Sequence, residues 1–546
     1  MKIFRFCKSE LRQNIGQLSL FYLLTIVYSL LTLYYTYFTG AFLDKLVQIS
    51  TVDSLIWICL FLVAICVIST CLGYFVSILS AKVTMRLGFA ISKKVIEHLH
   101  RARLADIYDE NSVSLTDKLT SDSNNVTSFC TNTIYSVLMN ILFVIIPAFF
   151  LIKTDVRLAV VLVIVLLVYF VAYKRFRKPL YGVSLNYKNS TSEYMSDVND
   201  QIKFIRHIKI NSLYSNFISR LKKSFSILYD NTIRLNRVSS AFSGLDSFIM
   251  RVAQICIFLI GGYGVLNGSF TIGKIVIVMN FFNMTLNGVR YFFGLGKTYQ
   301  ETVVSYNRLK HYMDIESDRN GEILINQIRT VSLQNFGFSY GDDALILSNI
   351  NCEFSQGYIY GIIGENGTGK STLVYNLLGL FEGFYHGEIK YNNINICKLN
   401  MEKIRQQQIS FLEQDDLLLS DTILDNLYND NSDLDKKIVE EISSVLNISD
   451  FLKENQTRTV SSTFSNISGG QRKKIALIKT LAKDASLIIL DEPTASLDAN
   501  SISNLYEYLD TIKHSKIIII ISHDNQLSEI CDNTIQLKSY QKDDAN

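Results

Sequence analysis

Three short stretches of this chain gather residue types that handle phosphate. The first is the run Gly364-Glu365-Asn366-Gly367-Thr368-Gly369-Lys370-Ser371-Thr372. Its glycines let backbone N–H groups close around phosphate oxygens, Lys370 neutralises them, and the Ser371 hydroxyl is a ligand for Mg²⁺. The second is Asp491-Glu492. Asp491 is placed to hold Mg²⁺ through water, and Glu492 is a candidate general base that orients an attacking water, a role that needs hydrogen-bond reach and a suitable pKa. The third is His523, which reads either as a satisfied strand-end histidine or, preferred beside such a pair, as a contact to the terminal phosphate. A further run, Ser468-Gly469-Gly470-Gln471, opens what reads as a helix, and bare N–H groups at a helix start attract an anion. One cradle is already present, so this second anion site raises the question of whose phosphate it serves.

The elements that must position these groups are legible around them. In YIYGIIGENGTGKSTLVYNLL, residues 358–378, an apolar β-rich run feeds the glycine loop and then a helix, the context that makes a Walker A match credible. Apolar runs 487–490 and 517–521 read as buried strands that deliver Asp491 and His523 to one sheet edge. This texture begins near ESDRNGE, residues 316–322, which marks a domain boundary: residues 1–315 and 316–546.

The first domain belongs in lipid. The chain has 546 residues, 48% of them apolar, and a positive mean hydropathy of +0.20, too greasy for an ordinary soluble protein. Six stretches near 18–43, 54–80, 133–153, 155–173, 246–266 and 271–296 are long and apolar enough to span a bilayer, which takes about 20 residues. The connection 81–132 carries Lys82, Arg86, Lys93, Lys94, Arg101, Arg103 and Lys118, and the connection between the fourth and fifth stretches begins at YKRFRK, residues 173–178. By the positive-inside rule both lie in the cytoplasm with the N-terminus. Both are poor in Gly and Pro and read as spanning helices continued into the cytosol, ending in turns that reach toward a cytosolic domain. The basic start MKIFRFCKSELRQNIGQ leads into an apolar run too long for a signal-peptide core, so it reads as a retained anchor.

Inside the spans, Arg251 and Arg290 read as snorkelling to the interface, and Pro147 as a tolerated kink. Gln254 and the row Asn280, Asn283 and Asn287 are candidates to line a central cavity and contact cargo. A net charge of +3 with no long basic run gives no sign of a nucleic-acid partner. The nine cysteines, odd in number and free of C-x-x-C spacing, read as small hydrophobes.

The ordered set of Walker A, Ile467-Ser468-Gly469-Gly470-Gln471, Asp491-Glu492 and His523 resembles the ATP-binding cassette (ABC) transporter family across essentially the whole chain. The resemblance implies a six-span α-helical membrane domain followed by an α/β P-loop cassette. It implies ATP and Mg²⁺ as ligands and hydrolysis of ATP at a dimer interface. It makes Gln414 the glutamine that links Mg²⁺ to the membrane domain, Tyr340 a stacking surface for adenine, and Ser496-Leu497-Asp498 the D-loop. It also answers the question of the second anion site: in this family the signature faces the γ-phosphate bound by the opposing cassette, so a second chain is implied. With every catalytic position present, a homodimer is favoured and a heterodimer remains open.

Two positions depart from the family pattern. Ser462 stands where a glutamate is expected before the signature, which touches the usual contact to the partner's loop, and Ile467 replaces the commoner leucine, a volume-conserving change. Six spans followed by one cassette look like an exporter half-transporter in a bacterial plasma membrane, with the N-terminus and cassette cytoplasmic. The segment NDQIKFIRHIKINSLYSNF, residues 199–217, looks similar to that of bacteriocin and lantibiotic peptide exporters, which puts peptide or amphipathic cargo ahead of drug or lipid export. With no protease-like N-terminal domain read in the chain, cargo is not expected to be cleaved by it. An ATP-dependent membrane sensor that moves no cargo is the reading from another class, and an ATP-gated channel is disfavoured by the intact Glu492 and His523.

Overall fold

The computed structural model describes residues 2–46, 52–107, 112–339, 345–414, 418–428, 436–461, 466–523 and 530–537. They form two compact units, Met1–Ile96 with Ser112–Tyr312, and Glu97–Asn111 with Met313–Asn546.

The first unit is helical. Short helices Lys2–Phe6 and Lys8–Gln13 lead into α1 (Ile15–Leu46) and α2 (Val52–Leu99). Next come α3 (Ile134–Thr154), α4 (Val156–Lys203), α5 (Tyr214–Leu266) and α6 (Ile272–Asp314). Each carries one of the six apolar stretches. As expected from the helix-forming connections, α2, α4 and α5 run on well past their apolar segments, and Ser112–Ser128 leads through a π turn, Phe129–Thr133, into α3. Pro147 lies buried within α3 without ending it. The core gathers Leu151 of α3, Leu158 and Leu162 of α4, Ile249, Ala253 and Ile257 of α5, and Ile277, Phe281 and Phe282 of α6.

Polar groups in this unit are paired across helices. Helices α1 and α6 meet backbone to backbone: a Cβ on Gly273 would lie 2.0 Å from the Gly40 carbonyl oxygen. One turn beyond Gly40, the Asp44 carboxylate accepts from the Gly273 amide at 2.7 Å and from the Thr271 hydroxyl at 2.6 Å, so α1 caps the start of α6. In the π turn the carbonyls of Cys130 and Thr133 are met by hydroxyls from other helices, Tyr22 of α1 at 3.3 Å and Tyr291 of α6 at 3.2 Å. Arg290 has partners that the sequence reading did not supply: its guanidinium pairs with Asp246 of α5 at 2.5 Å, donates to Asn287 at 2.9 Å and lies over the Tyr169 ring. Arg251 is exposed.

The second unit holds two sheets. Strands β1 (Thr330–Phe338), β2 (Leu347–Ser355), β4 (Tyr385–Tyr391) and β5 (Ile394–Asn395) form an antiparallel sheet in the order β2-β1-β4-β5. Strands β3 (Ile359–Ile363), β6 (Ile409–Leu412), β7 (Leu487–Asp491), β8 (Ile517–Ser522) and β9 (Asn533–Gln536) form a parallel sheet in the order β6-β7-β8-β3-β9. Its central strands are buried on both faces, which is why they read as unbroken apolar runs. In β8, Ile517, Ile519 and Ile521 enter the core shared with the antiparallel sheet, while Ile518 and Ile520 pack under the helical layer. Each fully buried isoleucine contributes about 1.5–3 kcal/mol. The helices that matter below are α7 (Lys370–Leu377), α8 (Gly469–Ala482) and α9 (Ala499–Ile512).

Glu97–Asn111 joins this second unit through specific contacts. His98 Nε2 lies 2.9 Å from the Ile315 carbonyl oxygen, the Arg103 amide donates to the Glu316 carbonyl at 3.0 Å, and the Asp318 amide donates to that of Arg101 at 2.7 Å. Leu104 and Ala105 pack on the core, and the Arg103 guanidinium lies over the Phe384 ring.

Candidate nucleotide site

The loop between β3 and α7 is shaped to receive an anion. Gly367 and Gly369 adopt φ of +86° and +88°, left-handed values open to glycine at no steric cost, and these turn successive amides inward. Gly364 is needed for closeness instead: a Cβ there would lie 2.7 Å from Thr368 Oγ1 and 2.9 Å from the Leu537 carbonyl oxygen. The loop is braced from within, because the Thr368 hydroxyl donates to the Glu365 carbonyl at 2.9 Å. Lys370 Nζ curls back over it, donating to the carbonyls of Gly364 at 2.7 Å and Glu365 at 2.9 Å. The ammonium is therefore held at the mouth of the amide nest.

The parallel sheet brings the carboxylates to the same edge. In register, Asp491 of β7 pairs with Ile521 of β8, and Ile521 with Ile362 of β3, so the end of β7 lies level with the entry to the glycine loop. Asp491 is buried, and Ser371 of α7 acts on it to lower its pKa. Burial first, then the neighbouring Glu492 charge, pushes its pKa up to about 6, against the pull of Lys473, Lys370 and Ser371. A hydroxyl and a carboxylate side by side are hard oxygen donors that suit Mg²⁺. Gln414 lies two residues beyond β6 and is exposed; since Leu412 pairs with Leu490, it leaves the sheet beside Asp491.

Glu492 sits in a strained conformation, with φ of +48°, and its amide donates to the Ile521 carbonyl at 3.0 Å. Its carboxylate is held at three points. Oε1 accepts from the His523 amide at 3.1 Å and lies 2.7 Å from His523 Nδ1, while Oε2 accepts from the Ser522 hydroxyl at 3.3 Å. A carboxylate partner selects the tautomer with the proton on Nδ1, leaving Nε2 as an acceptor on a ring that is largely exposed. The sequence reading expects His523 at a terminal phosphate; in the structure its ring holds the Glu492 carboxylate. The Glu492–His523 contact spans 31 residues and carries no local signal.

The signature forms the start of α8. Ser468 is its N-cap, and the Ser468 and Gln471 side chains make a reciprocal capping box, Gln471 N to Ser468 Oγ at 3.2 Å and Ser468 N to Gln471 Oε1 at 3.0 Å. Accepting from Gln471 leaves the Ser468 hydroxyl proton free to donate outward. Ser496, itself at φ +65°, closes over this helix start: a Cβ on Gly470 would lie 2.8 Å from its carbonyl oxygen. Asp498 caps α9 through the Ser501 amide at 2.9 Å and pairs with Lys474 of α8 at 2.8 Å. The Lys474 ammonium, with the Ser501 amide and hydroxyl, holds that carboxyl well below the usual range. The cap on α9 and the tie to α8 are roles that sequence reasoning missed, as it missed Lys473, a lysine 1% exposed whose charge acts on Asp491. The adjacent pair Lys473-Lys474 was the available signal. Tyr340, the adenine candidate, and Ser462 lie outside the described residues.

Residues 18–289 match the family model described as ABC transporter transmembrane region, and residues 347–495 match that described as ABC transporter. The chain is 27% identical over 500 residues to the nisin transport ATP-binding protein NisT of Lactococcus lactis subsp. lactis, covering 88% of this chain and 82% of the relative. It is 23% identical over 491 residues to the ATP-dependent lipid A-core flippase of Syntrophus aciditrophicus (strain SB), covering 88% and 81%. A solved structure of a bacterial Atm1-family ABC exporter with ATP bound shares the fold with a TM-score of 0.78 at 16% identity, covering 97% of this chain and 94% of that one.

Proposed function

Because this chain belongs to the ABC transporters, as a multi-pass membrane half-transporter of the exporter type, we propose that it couples ATP hydrolysis to the export of a peptide or amphipathic compound. The observation that carries the ATPase reading is the convergence at one sheet edge of the glycine nest with Lys370, the Ser371–Asp491 pair, and Glu492 held by His523. Residues 1–315 act as the membrane domain and 316–546 as the cassette, which with the N-terminus faces the cytoplasm.

In this reading, the loop amides of 364–369 and the Lys370 ammonium hold the β- and γ-phosphate oxygens of ATP, and Thr372 lies in the first turn behind them. Ser371 and Asp491, with Gln414 beside them, would hold Mg²⁺, which when bound would neutralise charge on those oxygens. Glu492 accepts a proton from the water that attacks the γ-phosphorus, and the His523 ring fixes the carboxylate that does so. The Ser468 hydroxyl and the amides of Gly469 and Gly470 complete the site on a second chain. A half-transporter works as a dimer, and the presence of every catalytic group in this chain supports a homodimer with two working sites. Tyr340 is the proposed platform for adenine.

For cargo, the relative named for nisin transport supports a peptide, as does the second polar connection; the flippase relative supports lipid as the second reading. The test is ATP hydrolysis by the purified chain in lipid nanodiscs, alone and with panels of peptides, lipids and drugs, with Glu492→Gln as control. Stimulation by peptides, absent in the variant, is expected. Stimulation by lipid alone would replace the peptide reading. Hydrolysis that no translocated compound stimulates would favour a sensor, and an inactive but well-folded chain would point to a missing partner half.

A further inference from the structure

The first twelve residues carry a charge pattern that neither the cassette nor the transport pathway uses. Lys2, Arg5, Lys8 and Arg12 are all exposed, at spacings of three, three and four residues that place them on one side of consecutive helical turns. The turns are joined by backbone bonds, Cys7 N to Ile3 O at 3.1 Å and Leu11 N to Cys7 O at 2.9 Å. The opposite side is anchored. Ile3 and Cys7 are buried, the Phe6 ring meets Tyr306 edge-on at 5.6 Å, and Phe4 meets Phe129 at 6.1 Å.

Glu10, the sole acid in the first 43 residues, is also turned inward, where Ser9 donates to it at 2.7 Å and Lys94 pairs with it at 3.1 Å. The segment therefore hides and neutralises its negative charge and presents four positive ones. This cationic side lies at the lip of an apolar surface. Ile15, one turn beyond Arg12, is 65% exposed and begins the outward face of a membrane span. Arg86 of α2, which donates to Gln17 at 3.2 Å, brings a fifth exposed cation to the same level, with Met85 and Phe89 exposed beside it.

We propose that this anchored N-terminal segment is a binding surface for the phosphodiester headgroups of anionic phospholipids. A flat row of cations at the head of an apolar span is the arrangement that such headgroups complement. Anchoring by Phe4, Phe6 and Glu10 means that the row is presented without an ordering cost at the moment of binding. This inference does not depend on the identity of the transported compound.

The test is the headgroup preference of the full chain reconstituted in bilayers of phosphatidylglycerol and phosphatidylcholine, read with spin-labelled lipids of each class. The wild type is expected to prefer phosphatidylglycerol, less so at high salt. The variant Lys2→Gln/Arg5→Gln/Lys8→Gln/Arg12→Gln is expected to lose at least about five-fold of that preference, the equivalent of one cation near an anionic surface. Exchange of lysine for arginine in Lys2→Arg/Lys8→Arg should keep it. A second reading is thermal stability in detergent, which phosphatidylglycerol should raise for the wild type and not for the glutamine variant. Unchanged preference in the glutamine variant would overturn the proposal. So would a loss produced equally by neutralising Lys174, Arg175, Arg177 and Lys178 of α4, or displacement of the lipid by inorganic phosphate alone.

Discussion

The helix that starts at Lys370 and the helix that starts after Ser468 are both proposed to face an anion, and they are built in different ways. At the first, two residues in left-handed conformation fold the loop, an ammonium is drawn over its carbonyls, and a buried carboxylate waits beside the first turn. At the second there is no charge in the motif itself. A neutral hydroxyl and a neutral amide satisfy each other across the cap, and of the two lysines that follow, Lys473 acts on Asp491 and Lys474 is paired with Asp498. In the proposed function the first assembly binds a phosphate by itself, and the second adds neutral donors to an anion whose charge is met elsewhere. Binding and turnover should therefore separate by mutation, according to which helix start is altered.

The largest effect is expected at the base. Glu492→Gln keeps the side-chain shape and the cradle but cannot accept a proton, so steady-state hydrolysis should fall by about 10²–10⁴-fold while ATP binding persists and a closed dimer accumulates. Turnover close to wild type, measured by phosphate release, would remove Glu492 from that role. Next is Lys370→Ala, which takes away the ammonium of the cradle. Charge-assisted hydrogen bonds contribute about 1.5–3 kcal/mol each, so nucleotide affinity should weaken by about ten-fold or more. Equal affinities by titration calorimetry would break the comparison, because the first helix start would then need no charge.

Asp491 tests the electrostatics of the charged site. Its pKa is raised to about 6, so between about pH 4 and 6 the folded protein holds a proton that the unfolded chain has released. Stability falls as pH rises through that window and levels off above it. Asp491→Asn removes the ionisation, and without nucleotide or metal it should be more stable than wild type above about pH 6, by ~1–3 kcal/mol, with no difference below about pH 4. The melting temperature at the two extremes reads this directly. A variant less stable than wild type at alkaline pH would show that the carboxylate is a structural group. With nucleotide, the same variant should lose its response to Mg²⁺, the exchange of stability for function expected at a built site.

Much of this arrangement is legible in the sequence where the information is local. The glycine loop, the apolar runs that end in Asp491 and His523, and the six spans all announce themselves within windows of a few residues, because each depends on neighbours in the chain. The remainder depends on residues far apart. Arg290 read alone shows no partner; Asp246, 44 positions earlier, is one. The π turn at Phe129–Thr133 has no signature, and its carbonyls are met by tyrosines 108 and 158 positions away. Likewise, the inclusion of Glu97–Asn111 in the unit of the cassette rests on backbone bonds to residues 315–318, which pattern reading along α2 cannot supply.

The smallest and most discriminating effect belongs to the second helix start. Ser468→Ala removes the hydroxyl that accepts from the Gln471 amide, and loss of an N-cap costs about 1 kcal/mol, well short of unfolding the unit. Because α7 and its cradle are untouched, nucleotide affinity should stay within about two-fold of wild type, while turnover falls by roughly ten-fold as one donor to the partner's γ-phosphate disappears. Ser468→Thr keeps the cap and the donor and should restore most of the rate, which separates the chemistry from the cap's contribution to stability. Mixing Ser468→Ala with Lys370→Ala chains sharpens the point. If each nucleotide is completed from across the dimer, a mixed dimer pairs an intact cradle with an intact signature at one of its two sites. Its hydrolysis should then exceed that of either variant alone. If the signature instead serves the cradle of its own chain, every site in the mixture carries one defect and no rescue occurs, and the division of labour between the two helix starts would have to be redrawn within a single cassette.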